Sequence, residues 1–145
     1  MSVLDRARPP EAGDFRELSF PAVDRRTLDT GLDLRVARVS RFPVVSAVLF
    51  VRAGEAALPD GRAGLAVLAG HALDGGTRRR SGAALAEALE GIGARLGVAT
   101  GWEGTSVSVT CLAERLEAGL ELLAEAVLQP GFPPVSYTHL RAHET

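Results

Sequence analysis

At 145 residues, 46% of them hydrophobic, the chain is long enough for one domain with a core of its own, or for a piece of something larger. Its formal charge is −2 and all 16 basic residues are Arg, which leaves no basic field to gather nucleic acid. The one cysteine, Cys111, excludes an internal disulfide framework and a multi-cysteine zinc site, and no run approaches the ~20 apolar residues that cross a bilayer.

Met1–Pro21 is charged and carries Pro9-Pro10, so it reads as an irregular arm without a secretory signal, and the chain as cytoplasmic. Thr27-Leu28 starts a short strand before the Asp29-Thr30-Gly31 turn. Leu32, Leu34 and Val36 alternate with Asp33, Arg35 and Ala37, which predicts a strand with one buried face. After the break at Arg41-Phe42-Pro43, Val44–Val51 is apolar except for Ser46. That run predicts a central strand covered on both faces and paired with the strand before it.

Ala53–Arg62, with Gly54, Pro59 and Gly61, is a loop. Gly64–Leu73 then carries Leu65, Leu68 and Ala72 at helical spacing, and Gly75-Gly76 supplies the stop. The next loop ends in Arg78-Arg79-Arg80, read as a solvated surface. Ser81 caps a second helix with an apolar stripe at Leu85, Ala88, Leu89 and Ile92, ended by Gly91 and Gly93. Arg95–Thr100 is a strand and Gly101–Gly104 a hairpin turn. Thr105–Cys111 alternates Val107, Val109 and Cys111 against Ser106, Ser108 and Thr110, the cleanest strand pattern in the chain. The last helix runs from about Ala113 to Leu128, with a buried seam predicted at Leu112, Leu116, Leu120, Leu123 and Val127. The order β-β-α-α-β-β-α predicts an α+β fold, a largely antiparallel sheet with helices packed on one face.

Chemistry is sparse. On the first helix, positions 67 and 71 share a face and position 70 flanks it. This is the geometry of the inverted zinc motif His-x-x-Glu-His, in which two His hold the metal and the Glu polarises water. The three slots hold Val67, Gly70 and His71, so one ligand type remains and the base is gone. Gly70→Glu should favour the helix by up to ~1 kcal/mol, because Gly is a poor interior residue. His71 is expected to be partly buried and hydrogen-bonded, and Asp74 to solvate its loop. Glu87, Glu90, Glu114, Glu117, Glu121 and Glu125 read as solubilising residues opposite the apolar stripes. Cys111 reads as a small buried hydrophobe. Trp102 reads equally as a contact residue or as packing over its hairpin. No phosphate-binding Gly loop and no Ser nucleophile elbow is present.

Leu28-Asp29-Thr30-Gly31-Leu32 resembles the Leu-Asx-x-Gly-Leu turn that opens the insulinase / mitochondrial processing peptidase family. Val44–Gly54 is similar to that family's second strand with its Val-Arg-Ala-Gly ending. Gly64-Leu65-Ala66 and Gly76-Thr77 match the edges of its zinc helix. Ala83–Gly93, Thr105–Val109 and Leu120–Pro133 continue the likeness in order, so it covers about residues 20–134. It implies the same α+β domain, repeated in tandem around a chamber, with zinc in the active members. It also implies a third ligand, a Glu from an acidic helix beyond Pro134.

Val135–Thr145 resembles no such helix. It is similar instead to a translated read-through of sequencing-adaptor DNA, and the i, i+4 spacing of His139 and His143 reads as chance. The expected organisation is therefore an arm at 1–20, a truncated peptidase-like domain at 21–134 and a non-homologous tail at 135–145.

Several family members work in pairs, one subunit holding zinc and the other, with a decayed motif, completing the chamber. The resemblance thus implies a non-catalytic partner of a zinc-bearing subunit that helps bind peptide. It would carry no cofactor or metal of its own and would engage neither nucleic acid nor membrane. An active zinc endopeptidase and a free-standing interaction domain are the alternatives. Loss of the base alone removes roughly 10²–10⁴ in rate, which disfavours the first of these.

Overall fold

The computed structural model describes residue 13 and residues 19–132. The predictions for most of the N-terminal arm and for the 135–145 tail, with His139 and His143, lie outside the described residues. The chain divides into two compact units, Met1–Phe42 and Pro43–Thr145.

The first unit holds an antiparallel hairpin of β1 (Val23–Thr27) and β2 (Asp33–Ala37), in register from Val23↔Ala37 to Thr27↔Asp33. Gly31, with φ of 82°, closes the turn by donating to the Leu28 carbonyl at 2.8 Å. Two expectations fail here. Leu28 sits in the turn, and the strand before it is Val23–Thr27, whose Asp24-Arg25-Arg26 centre has no apolar alternation to reveal it. All ten strand positions are exposed, so Leu34 and Val36 alternate without a buried face.

The second unit contains β3 (Val44–Val51), α1 (Leu65–His71), α2 (Gly82–Gly91), β4 (Arg95–Thr100), β5 (Thr105–Leu112) and α3 (Leu116–Leu128). Its sheet is antiparallel in the order β3-β5-β4. The α+β architecture is the one predicted, but β3 occupies a different place. It pairs with β5, not β2, and it is an edge strand among the described residues. Val45, Ala47 and Leu49 face the helices, whereas Val48 and Phe50 remain 62% and 57% exposed on the other face. A continuous apolar run does not distinguish a strand covered on both faces from an edge strand with an open apolar face.

The central place belongs to β5. Val107, Val109 and Cys111 are fully buried, and they form the core with Leu85 and Leu89 of α2 and Leu122 and Leu123 of α3. Ser106, Ser108 and Thr110 line the opposite face, as alternation predicted. The Ser81 hydroxyl caps α2 by accepting from the Ala84 amide. The first helix is shorter than predicted, and a 3-10 turn at Leu73–Gly75 follows it before Gly76 turns the chain. In α3 the buried positions are Gly119, Leu122, Leu123, Glu125 and Ala126, while Leu112 and Leu120 are exposed. Of the predicted seam, Leu123 is buried and Leu116 and Val127 pack against the core, so the predicted face holds there, whereas Leu112 closes β5 and Leu120 lies outside the core. No helix among the described residues is long and apolar enough to cross a membrane.

Candidate functional site

Helix α1 begins without a capping side chain of its own. Its N-cap is Gly64, in the left-handed region at φ 86°, and the first turn therefore needs an acceptor from elsewhere. Glu55 provides it. One carboxylate oxygen accepts from the Gly64 amide at 2.7 Å and the other from the Val67 amide at 3.0 Å. Hydrogen bonds from Gly64, then Val67 and Ala66, hold the Glu55 carboxyl below its ordinary range, against the opposing effect of burial. Glu55 is itself fixed by its backbone. Its amide donates to the Gly101 carbonyl at 3.2 Å, and the next amide, Ala56, donates to the Trp102 carbonyl at 2.9 Å. The β4–β5 turn thus holds the residue that caps α1, while the Trp102 ring stands 73% exposed.

The three motif positions diverge from this start. Val67 is half-buried, Gly70 is buried against β4, and His71 is exposed rather than partly buried. Val67 and Gly70 carry no donor atom, so these positions offer a zinc ion one imidazole. Among the described residues no three His, Cys, Asp or Glu side chains gather into a metal-binding group. The described residues do not fit the zinc that the resemblance implies.

Position 70 is also closed sterically. A Cβ there would overlap Thr100 Oγ1 and stand 3.3 Å from Thr100 Cβ and 3.6 Å from Val98 Cγ1. The expected gain from Gly70→Glu therefore does not hold, because helix propensity applies to a position with room for a side chain. Thr100 is held in place by a chain of hydroxyls. Thr105 donates to the Ala53 carbonyl at 2.9 Å and so spends its only proton. The Thr100 hydroxyl must then be the donor in its 3.1 Å bond to Thr105. Behind α1 lies an apolar cavity of about 440 Å³, lined by Leu65, Ala69 and Gly70 with Val107, Val127 and Phe132.

A second polar constellation joins the loop after α1 to α3. The Thr77 hydroxyl donates to Glu125 Oε1 at 2.6 Å and accepts the amides of Arg79 and Arg80 at 3.1 and 2.9 Å. Arg80 Nη1 pairs with Glu125 Oε2. The Thr77 hydrogen bond comes first in holding the Glu125 carboxyl below its ordinary range, followed by Arg80 and the charge of Arg79, while burial opposes them. Glu125 is thus a buried anchor, not a solubilising residue, and Arg80 is not a free surface cation. A glutamate turned into the core is stable here because both of its oxygens are bonded. Backbone bonds from Arg78 to Gln129 and from Gly131 to Gly76 complete the strap.

Sequence reasoning located α1 but missed Glu55, Thr100 and the Thr77–Glu125 pair. The bare Gly64 cap signals that an outside acceptor is required. Nothing in the sequence says which residue supplies it.

Comparison with known proteins adds a family and a fold. The family model described as Insulinase (Peptidase family M16) matches residues 35–142. The structure is similar to that of a peptidase M16 inactive domain from Pseudomonas fluorescens, with a TM-score of 0.76 and 26% identity over 84% of this chain and 30% of that one. It is also similar to a protease from Helicobacter pylori, with a TM-score of 0.73 and 18% identity over 85% of this chain and 30% of that one. The chain therefore spans less than a third of either structure. No curated protein matches the sequence.

Proposed function

The chain belongs to the insulinase family, peptidase family M16, and on that premise we propose that it is a non-catalytic member, a partner subunit that helps a zinc-bearing relative enclose and bind peptide. The observation that carries this reading is the state of the base position. Hydrolysis at such a zinc site needs protein ligands, an open coordination position and a base to take the proton of water. Here residue 70 is a glycine packed against Thr100, and residue 67 offers only methyl groups. The likeness to an M16 domain described as inactive fits this reading.

In this reading the contribution of the chain is shape and surface, without a metal or cofactor of its own. The test uses the full chain, alone and mixed with a zinc-bearing subunit of the same family. Metal analysis after desalting should find no stoichiometric zinc. Cleavage of a quenched fluorescent peptide should stay at background with the chain alone and rise above the level of the zinc subunit in the mixture. One tightly bound zinc per chain, with chelator-sensitive cleavage, would overturn the non-catalytic reading. An unchanged rate in the mixture would overturn the partner role.

A further inference from the structure

We propose that Thr100 of β4 locks the base position shut, so that the loss of the site is built into the packing of α1 on the sheet as well as into the motif. The inference rests on reading residue 70 as the base slot and extends it to a residue outside the helix. Three observations support it. Gly70 is the buried residue of α1, and its missing Cβ would fall on Thr100 Oγ1. Thr100 is β-branched, so turning its hydroxyl away brings either a methyl group or a hydrogen toward Gly70 and breaks the bond to Thr105. Thr105 is anchored in turn on the Ala53 carbonyl, in the loop that leads to the Glu55 cap.

Helix α1 is therefore held close to β4 at its C-terminal turn by the Gly70–Thr100 contact and fixed at its N-terminus by Glu55. A carboxylate at position 70 would have to turn Thr100 out of its bond to Thr105 or push the helix off the strand. Restoring Val67→His and Gly70→Glu alone would then rebuild the motif in sequence without rebuilding its geometry. In this account Thr100 is a positioning residue that sets the spacing between helix and strand.

A double-mutant cycle on the full chain tests the lock by thermal unfolding. Gly70→Ala, which would stabilise an open helix interior, should instead lower the Tm by several degrees. Thr100→Ala should remove most of that loss, since the remaining Cβ contact at 3.3 Å needs a shift of only a few tenths of an ångström. Thr100→Val keeps the branched bulk without the hydroxyl and should give no such rescue. If Gly70→Ala does not fold, recovery of soluble, cooperatively unfolding protein in the Gly70→Ala/Thr100→Ala pair carries the same meaning. A neutral or stabilising Gly70→Ala, equal rescue by Thr100→Val, or no rescue by Thr100→Ala would overturn the lock. None of these outcomes bears on zinc content or peptide cleavage, so the lock can fail while the non-catalytic reading stands, and the reverse.

Discussion

Glu125 is the charged group whose removal should be felt most. Glu125→Ala takes away both acceptors of the strap between α3 and the loop after α1. Thr77, 8% exposed, loses the partner of its hydroxyl proton, and Arg80 loses its counter-ion. Breaking a fully buried pair costs about 3–5 kcal/mol, because the partner left behind is an uncompensated charge. The Arg80 side chain is 33% exposed, so water recovers part of that loss. A charge-assisted hydrogen bond is worth about 1.5–3 kcal/mol, and a total of about 2–3 kcal/mol is expected. At roughly 4–8 °C per kcal/mol for a domain of this size, the Tm should fall by roughly 10–20 °C. Circular dichroism melts at neutral pH measure this directly.

The same group fixes the pH dependence. Its folded pKa is depressed, so its stabilising contribution is fully present above the unfolded value, about 4.3, and is lost as pH falls through the folded value. The native chain should therefore lose stability from about pH 4 downward, while Glu125→Gln, less stable at pH 7, should respond less. A Tm change under about 2 °C for Glu125→Ala, or parallel pH profiles for the native chain and Glu125→Gln, would refute the argument.

Other substitutions separate the remaining claims. Glu55→Gln should speed hydrogen exchange at the amides of Gly64 and Val67 while leaving those of β5 unchanged; equal exchange in both proteins would remove Glu55 as the cap of α1. Leu123→Ala should cost about 2–5 kcal/mol in urea unfolding, whereas Leu120→Ala should stay within about 0.5 kcal/mol, since Leu123 is buried and Leu120 exposed. Equal losses would restore Leu120 to the seam read from periodicity. With Val48 and Phe50 exposed on β3, the chain should self-associate with rising concentration in sedimentation velocity, and Val48→Lys should reduce this without lowering the Tm; a native chain that stays monomeric, or an unchanged distribution in the variant, would mean that this face does not drive association.

The pattern of legible and illegible features follows range along the chain. Ser81 and the Gly101–Gly104 turn act on neighbours within a few residues, and both were readable from local chemistry. The alternation of β5 was readable because each residue carries its own sidedness. For β3 the sequence supplied the strand but not its partner. A run of Val, Leu and Phe satisfies both a covered centre and an apolar edge, and pairing with β5 joins residues as far apart as Val44 and Leu112. Thr77 and Glu125, 48 residues apart, could not be matched in advance. Each side chain has a plausible solvent-exposed role until the loop and α3 come together.

Position 70 combines both ranges. Read along the helix, Gly70 is an absence: no carboxylate, hence no base. Read across to β4, it is a contact, because the space a side chain would need is occupied by Thr100. The first reading treats the decay of the motif as reversible by substitution in α1. The second makes it a property of two elements 30 residues apart in sequence, counted from position 70 to position 100. A helix that rests its backbone on a strand cannot regain a glutamate unless it moves or Thr100 leaves its bond to Thr105, and α1 is held at its other end by Glu55. On the proposed non-catalytic reading, the packing of α1 on β4 and the motif residues both stand against a base at position 70.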